Sequence, residues 1–310
     1  MPTSRKIMGV KKGSVSKKAI FGYGLVQNGD RTAITNLVSN TGVVSSDTAG
    51  VGSARGYLAA CGYGTDKGLF GFGTITFNTS ITNLISNIGV VSTDVAGVGS
   101  ARPSLMACNY GTDKGIFGFG SWGNPPYRLN VTNLVSNTGV VSSDTAGVGS
   151  ARDNGAACGY GTDKGIFGFG SDTTGANTAI TNLVSNTGVV SSDTAGVGSP
   201  NFSLAACSYG TDKGIFGFGY TTARTSGTNL ISNTGVVSSN ITGVGTARTE
   251  VAASGYGTDK GIFGYGGTAG SMGTTKNSMT NLVSNIGVVS SDTAGVGTAR
   301  LGLAASSYGS

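Results

Sequence analysis

The chain has no histidine, one tryptophan (Trp122), one glutamate (Glu250) and 5 prolines in 310 residues. Without histidine there is no Ser-His-Asp triad, no imidazole-held metal and no His-ligated haem. Galactose-oxidase-type copper chemistry is excluded on the same ground. Charged residues make up 11% of the chain, against a usual ~25%, which argues against long helices and coiled coils. No stretch approaches the ~20 consecutive apolar residues of a membrane span. The N-terminus lacks the apolar core of a signal peptide. The hydrophobic share of 38% is too high for an evidently disordered chain. Length alone allows one or two domains.

Glycine is abundant, with 56 residues, but without the Gly-X-Y period of collagen. Its meaning comes from self-similarity, which is read first in such a chain. The string TNLVSN or a near copy occurs six times, with its first asparagine at Asn36, Asn83, Asn133, Asn182, Asn229 and Asn281. The string GIFGFG or a variant also occurs six times, with its first phenylalanine at Phe21, Phe70, Phe117, Phe167, Phe216 and Phe263. A period of about 49 residues lies in the range of propeller blades.

Each unit divides into four short β segments, as residues 105–152 illustrate. Residues 105–110 are small and apolar. A Gly-Thr-Asp turn leads to residues 114–120, whose alternation places Phe117 and Phe119 on one side. Residues 131–136 form a third strand, an Asn-Thr-Gly turn follows, and residues 140–143 form a fourth. Six such units predict an all-β fold: a six-bladed β-propeller of four-stranded antiparallel blades. The glycines let neighbouring blades approach while the phenylalanines fill the gap between them. The repeat opens on a second segment and finishes on a first segment, so the C-terminal strand is expected to pair with the N-terminal one and close the ring. The predicted organisation is a basic tail over residues 1–17 and a propeller over 18–310.

The formal charge of +6 is concentrated in that tail. Arg5, Lys6, Lys11, Lys12, Lys17 and Lys18 face no acid in the first 18 residues, which leaves 14 basic against 14 acidic residues elsewhere. Such a tail suits an acidic groove on a partner protein, an anionic surface or nucleic acid, or is a solvated leader.

The unit resembles a kelch repeat: Arg152, Ala156-Ala157 and Ile166-Phe167-Gly168-Phe169-Gly170 follow one another in the kelch order. The glycine doublet is here Gly-aromatic-Gly, and the fourth-strand tryptophan is missing. The wording TNLVSNTGVVSSDTAGVGSAR and YGTDKGIFGFG resembles that of kelch-like proteins of marine bacteriophages. This resemblance implies a virion appendage of the tail- or head-fibre type. It would be a non-enzymatic structural and host-attachment protein on the particle surface, made in the host cytoplasm. Its tail would bind other virion proteins, and its other partner would be a host cell-surface glycan or protein. A purely structural decoration or adaptor protein, an intracellular kelch-type scaffold and a lectin are the alternatives.

Comparison of the six units separates constant from variable positions. The Gly-Thr-Asp-Lys and Ser-Asn-Thr-Gly turns hardly change. Residues 25–34, 74–81, 121–131, 171–180, 220–227 and 267–279 differ completely, as do the residues after the repeated arginine. In an up-and-down blade both variable sets fall on one face. Diversified loops on a rigid scaffold suit binding, and these carry Tyr57, Phe77, Trp122, Tyr127, Arg128, Phe202, Tyr220 and Arg224, types enriched at interfaces. Arg55, Arg102, Arg152, Arg248 and Arg300, with Asn201 in the remaining unit, are expected to ring the central channel. They would bind an anion there, or pair with Asp47, Asp94, Asp144, Asp193 and Asp292 or with loop carbonyls; strict repetition favours pairing.

Catalysis has little to stand on. Glycosidases use paired carboxylates, and no acid pair stands out. The Asp of each Gly-Thr-Asp-Lys turn is expected to bond its own backbone, with too few oxygens for calcium. Cys61, Cys108, Cys158 and Cys207 recur at one position, about 10 Å apart on adjacent inner strands, too far for disulfides. No motif calls for a cofactor or a metal.

Overall fold

In the computed structural model, residues 16–123, 127–269 and 275–309 are described. Among them the chain is all-β without helices, arranged as six three-stranded antiparallel sheets and four two-stranded ribbons. One sheet typifies the six. Its inner strand Met106–Tyr110 pairs with the middle strand Lys114–Gly118, which pairs with the outer strand Thr132–Val135.

The middle strand is buried on both faces from Gly115 to Gly118. Neighbouring sheets come this close because the glycines leave room. A Cβ added at Gly118 would stand 2.9 Å from Cζ of Phe167 in the next unit, closer than carbon atoms pack. The same phenylalanine-on-glycine contact recurs at Gly22, Gly71, Gly168, Gly217 and Gly264.

The expectation that Phe117 and Phe119 share one side is corrected. The strand ends at Gly118, and Phe119 adopts a left-handed backbone with φ of 63°. Phe117 therefore meets Phe72 of the preceding unit, at 5.0 Å between ring centroids, while Phe119 meets Phe167 of the following one at 5.2 Å. Equivalent pairs join Tyr23 to Phe70, Phe169 to Phe216, Phe218 to Phe263 and Tyr265 to Phe21.

The fourth segment is not a strand. Val135 and Val141, and Thr132 and Thr145, form isolated antiparallel bridges. Between them a side chain replaces the backbone acceptor: the Leu134 amide donates to Oγ of Ser142 at 2.9 Å. The side-chain amide of Asn133 donates to the Ser142 carbonyl instead. A serine competing with the ladder in this way interrupts regular pairing. The sheets are therefore three-stranded, with a fourth segment joined to the third strand by spaced backbone and side-chain hydrogen bonds.

The strand Lys18–Gly22 pairs with Ala304–Tyr308, matching Lys18 to Tyr308 and Gly22 to Ala304. This is the register that Lys114 to Tyr110 and Gly118 to Met106 show within a continuous hairpin. Each inner strand also lies against those of the preceding and following units, and the succession returns from Ala304–Tyr308 to Ala59–Tyr63.

A large apolar group on bare backbone cannot be trimmed without leaving a void. Phe117→Ala is expected to lower unfolding free energy by about 3–5 kcal/mol in urea titrations, while Phe77→Ala, at an exposed loop position, stays within about 0.5 kcal/mol of the parent.

Candidate binding face and the buried arginine ring

The repeated arginines are fully buried: they do not line the central cavity as expected, and they have the aspartate and loop-carbonyl partners that their repetition favoured. The Arg152 guanidinium stacks on the Phe119 ring at 4.1 Å. Its Nε donates to the Phe169 carbonyl at 2.9 Å, one terminal nitrogen to the Ser150 carbonyl at 3.2 Å and the other to Oδ1 of Asn182 at 2.6 Å. Asp193 stands 4.0 Å away. Burial lowers the guanidinium to about 10, with Asp193 opposing the shift, so it stays charged at neutral pH. Burial also pushes the Asp193 carboxyl up. Hydrogen bonds from Ser150 and Asn182 and the charge of Arg152 outweigh that, and the net shift is downward. Arg102 and Arg300 make the same set of bonds, and Arg55 and Arg248 part of it, beside Asp144, Asp47, Asp94 and Asp292 respectively.

These contacts tie consecutive units together. Ser150 precedes Arg152 in the link between units, and its amide and hydroxyl both donate to Asp193 of the next. The sixth arginine position is Asn201, and the aspartate that would face it is Asn240. Asn201 donates to the Phe218 carbonyl at 2.7 Å, and Asn240 donates to Oγ of Ser199 at 2.7 Å. Both charges are lost together, so no charge is left buried alone.

An axial cavity of about 200 Å³ lies among the inner strands. Ala60, Ala107, Ala157 and Ala206 are among its lining, with Asn109 and Ser208, and no arginine lines it. The four cysteines are free and buried. Burial pushes the Cys158 thiol up to about 12, which leaves it protonated and inert. The turn aspartates pair with the lysine that follows, as Asp113 with Lys114 at 2.8 Å, and Asp113, Asp163 and Asp212 also bond their own backbone, as expected.

Both variable sets meet at one end of the sheets. Arg152–Asp153 pairs with Ser171–Asp172, and Arg300–Leu301 with Leu25–Val26. Isolated bridges join Gly56 to Thr74, Phe202 to Tyr220 and Thr249 to Gly267. The constant turns interlock at the opposite end. There the Gly111 amide donates to the Asp163 carbonyl of the next unit at 2.7 Å, and Gly139 packs against Tyr63. Their constancy follows from these contacts.

The loop-face residues fall into separate groups. Trp122 and Tyr127 are paired across a two-stranded ribbon, both exposed, with Arg128 bonded to Asp153 at 2.9 Å. The rings of Phe202 and Tyr220 meet at a tilt, 5.6 Å between centroids, with Arg224 bridged to Tyr220 through the backbone. Phe77 stands exposed on its own loop. Tyr57 is half-buried over Gly302, where an added Cβ would lie 3.2 Å from its ring.

Tyr57 also belongs to a ring that sequence comparison left unassembled. Tyr57, Ser104, Asn154, Ser203, Glu250 and Gly302 occupy one position in the six units, and all have φ between 53° and 59°. The amide of each donates to the carbonyl of its counterpart in the preceding unit, over 2.7 to 3.4 Å, and Tyr57 to Gly302 closes the circle. The ring is half-buried at one end of the axis, apart from the buried Gly302. The signal in the sequence was the lone glutamate at a position held elsewhere by Tyr, Ser, Asn and Gly.

Glu250 is the unusual member. Burial pushes its carboxyl up to about 7, with Lys276 and Arg224 opposing the shift. Burial, reinforced by the charge of Glu250, pushes the Tyr57 phenol up to about 12, against Arg31.

The tail residues Arg5, Lys6, Lys11 and Lys12 lie outside the described residues. Lys17 does not. Its carbonyl accepts from the Gly257 amide at 2.8 Å, and it lines the axial cavity on the constant-turn side. The tail therefore joins the fold at the end opposite the variable loops. No group of His, Cys, Asp or Glu among the described residues can hold a metal ion, and no helix among them is long and apolar enough to cross a membrane. No protein-family model matches the chain, and no curated protein matches it.

Asp193→Asn leaves a buried guanidinium without its counter-charge and is expected to cost about 2–3 kcal/mol. Adding Arg152→Asn is expected to recover about 1–2 kcal/mol of the summed single costs. Strict additivity in urea unfolding would make the Asn201–Asn240 pairing a coincidence. For Glu250 the folded value lies above the ordinary 4.5. The fold therefore favours the protonated acid, and stability declines as pH rises from 4.5 through 7. Glu250→Gln should raise the melting temperature above pH 7 and have little effect below pH 4.5; an equal gain at both pH values would contradict this sign.

Proposed function

We propose that the chain is a closed six-bladed propeller of the kelch type, serving as a non-enzymatic binding component of a bacteriophage virion. It presents the variable loops to a host surface or a neighbouring virion protein. The observation that carries this reading is the opposition of its two ends: diversified loops gather at one, and residue 17 leads into the basic tail at the other. A tail anchored in the particle points the loops outward.

The tail side suits docking in a second respect. Val43, Val90, Val140, Val189, Val236 and Val288, one in each constant turn, are all exposed. Repeated apolar groups beside interlocked turns offer a flat partner a regular surface. This favours contact with another virion protein there, and is the observation behind the second reading, a purely structural decoration or adaptor protein. A binding role without catalysis is consistent with the missing histidine and lone glutamate.

Purified protein with and without residues 1–16 is to be tested on intact marine bacterial cells and on virions depleted of tail or capsid components. Cell binding that survives tail removal, and that changes partner when loop 121–131 is exchanged for loop 171–180, is the expected result. Binding only to particles, abolished with the tail, would overturn the adhesion reading in favour of the structural one.

A further inference from the structure

At the constant-turn end, the departures from the repeated turn sequences all fall in one sector. Five Gly-Thr-Asp-Lys turns are alike, with the aspartate paired to the lysine after it at 2.8 to 3.1 Å. The sixth turn is assembled where the two terminal strands meet, and Lys18 pairs there with Tyr308 as Lys114 does with Tyr110. Lys17 takes the place of the aspartate: the Gly257 amide donates to its carbonyl as the Gly210 amide donates to that of Asp259. Lys17 and Lys18 are both exposed, and neither enters an ion pair among the described residues.

The other two departures flank this sector. In four Ser-Asn-Thr-Gly turns the threonine hydroxyl bonds the serine hydroxyl two residues earlier, at 2.8 or 2.9 Å. Ile88 and Ile286 stand at the threonine position in the remaining two turns and are 71% and 73% exposed. Exchanging a bonded hydroxyl for an apolar side chain left in water weakens a turn rather than strengthening it. Both isoleucines belong to the units beside Lys17, because the amide–carbonyl bonds between turns run from the unit of Asp259 to Lys17 and from the Lys17 unit on to Asp66. With the exposed Val43, Val90 and Val288 they place apolar groups around two uncompensated cations.

The charge decides what covers such a patch. A second copy presents paired aspartates and the same free lysines at this end. Nucleic acid would meet the lysines but lay phosphates against the apolar groups. An anionic membrane would also meet the carboxylates of Asp66 and Asp259 on either side of Lys17. A protein surface can confine its acids to the two lysines and set apolar side chains against the rest.

We propose that this sector docks a protein partner whose apolar patch carries carboxylates opposite Lys17 and Lys18. The inference rests on the reading of the constant-turn end as the docking end and gives that partner its chemistry. The other sectors repeat one another, so the partner sits off the axis, one per chain, in a single rotational setting.

The test is titration of the full chain with fluorescently labelled probes: a short amphipathic leucine–glutamate peptide, its leucine–lysine counterpart, oligothymidine, and phosphatidylglycerol vesicles. The leucine–glutamate peptide is expected to bind about tenfold or more tightly than the others. The triple variant Lys17→Asp, Ile88→Thr, Ile286→Thr gives this sector the residues of its neighbours. It is expected to unfold thermally like the parent and to bind that peptide about tenfold to a hundredfold more weakly. A full-length variant with serine at positions 5, 6, 11 and 12 is expected to keep the preference, which separates this face from the tail. No peptide binding, tighter binding of another probe, no loss in the triple variant, or loss with the serine tail overturns the proposal. These outcomes are independent of cell binding. A chain whose loops bind cells while this sector ignores the peptide keeps its adhesive role and loses this site. A chain that takes the peptide here but binds neither cells nor particles keeps the site and loses the virion reading.

Discussion

The contact on which the rest depends is a phenylalanine ring lying on bare backbone. At Gly118, and at five equivalent glycines, the sheet of one unit has no side chain to offer, and the next unit fills the space with Phe167 or its counterpart. Small-on-large packing of this kind is dense and intolerant of change in either partner. It also explains why glycine is abundant in a chain built of regular antiparallel sheets. Each unit buries its aromatic rings only by leaning on both neighbours, so no unit has a core of its own. The arginine sandwiches extend the same logic to polar groups: a guanidinium from one unit is satisfied by carbonyls, an asparagine and an aspartate that the link and the next unit supply.

Much of the architecture was legible because it repeats. The period, the three principal strands and the hairpin-like pairing of the terminal strands all follow from strings recurring in register. Recurrence also singled out the arginines and their aspartates as one system. Geometry was harder to read. Nothing in Gly-Ile-Phe-Gly-Phe-Gly announces that the second aromatic turns left-handed and faces the opposite neighbour. In Ser142 the hydroxyl takes the place of a strand carbonyl, a substitution that composition cannot distinguish from an ordinary serine at a strand edge. Repetition pointed to the pairing of the arginines, but it placed them around the central channel and did not show how completely they are enclosed. Their aromatic platforms, contributed by a turn in the preceding unit, seal them off.

The two ends of the sheets divide constraint between them. Where turns touch turns across units, sequence is nearly invariant, since any change in one must be met by its neighbour. Where loops project beyond the ladder, as at Trp122 and Tyr127, side chains meet little but their own hairpin and are free to diversify. The axial ring lies between these regimes. Its backbone is bound as tightly as the constant turns, through a closed circuit of amide–carbonyl bonds, yet its side chains vary as the loops do.

The paired asparagines at 201 and 240 bear on the order of the units. Five junctions are held by a cation from one unit set against an anion from the next, and one by two neutral amides. A shuffled chain that set an arginine before Asn240 would bury that charge unmatched, and one that set Asn201 before a unit bearing aspartate would leave a partly exposed carboxylate without its cation. The neutral junction thus works as a key: it makes nearly identical units non-interchangeable and gives a pseudo-symmetric assembly an unambiguous reading frame. Unequal recombination between these repeats, to which such similar stretches are prone, is thereby penalised in the folded product at that one joint.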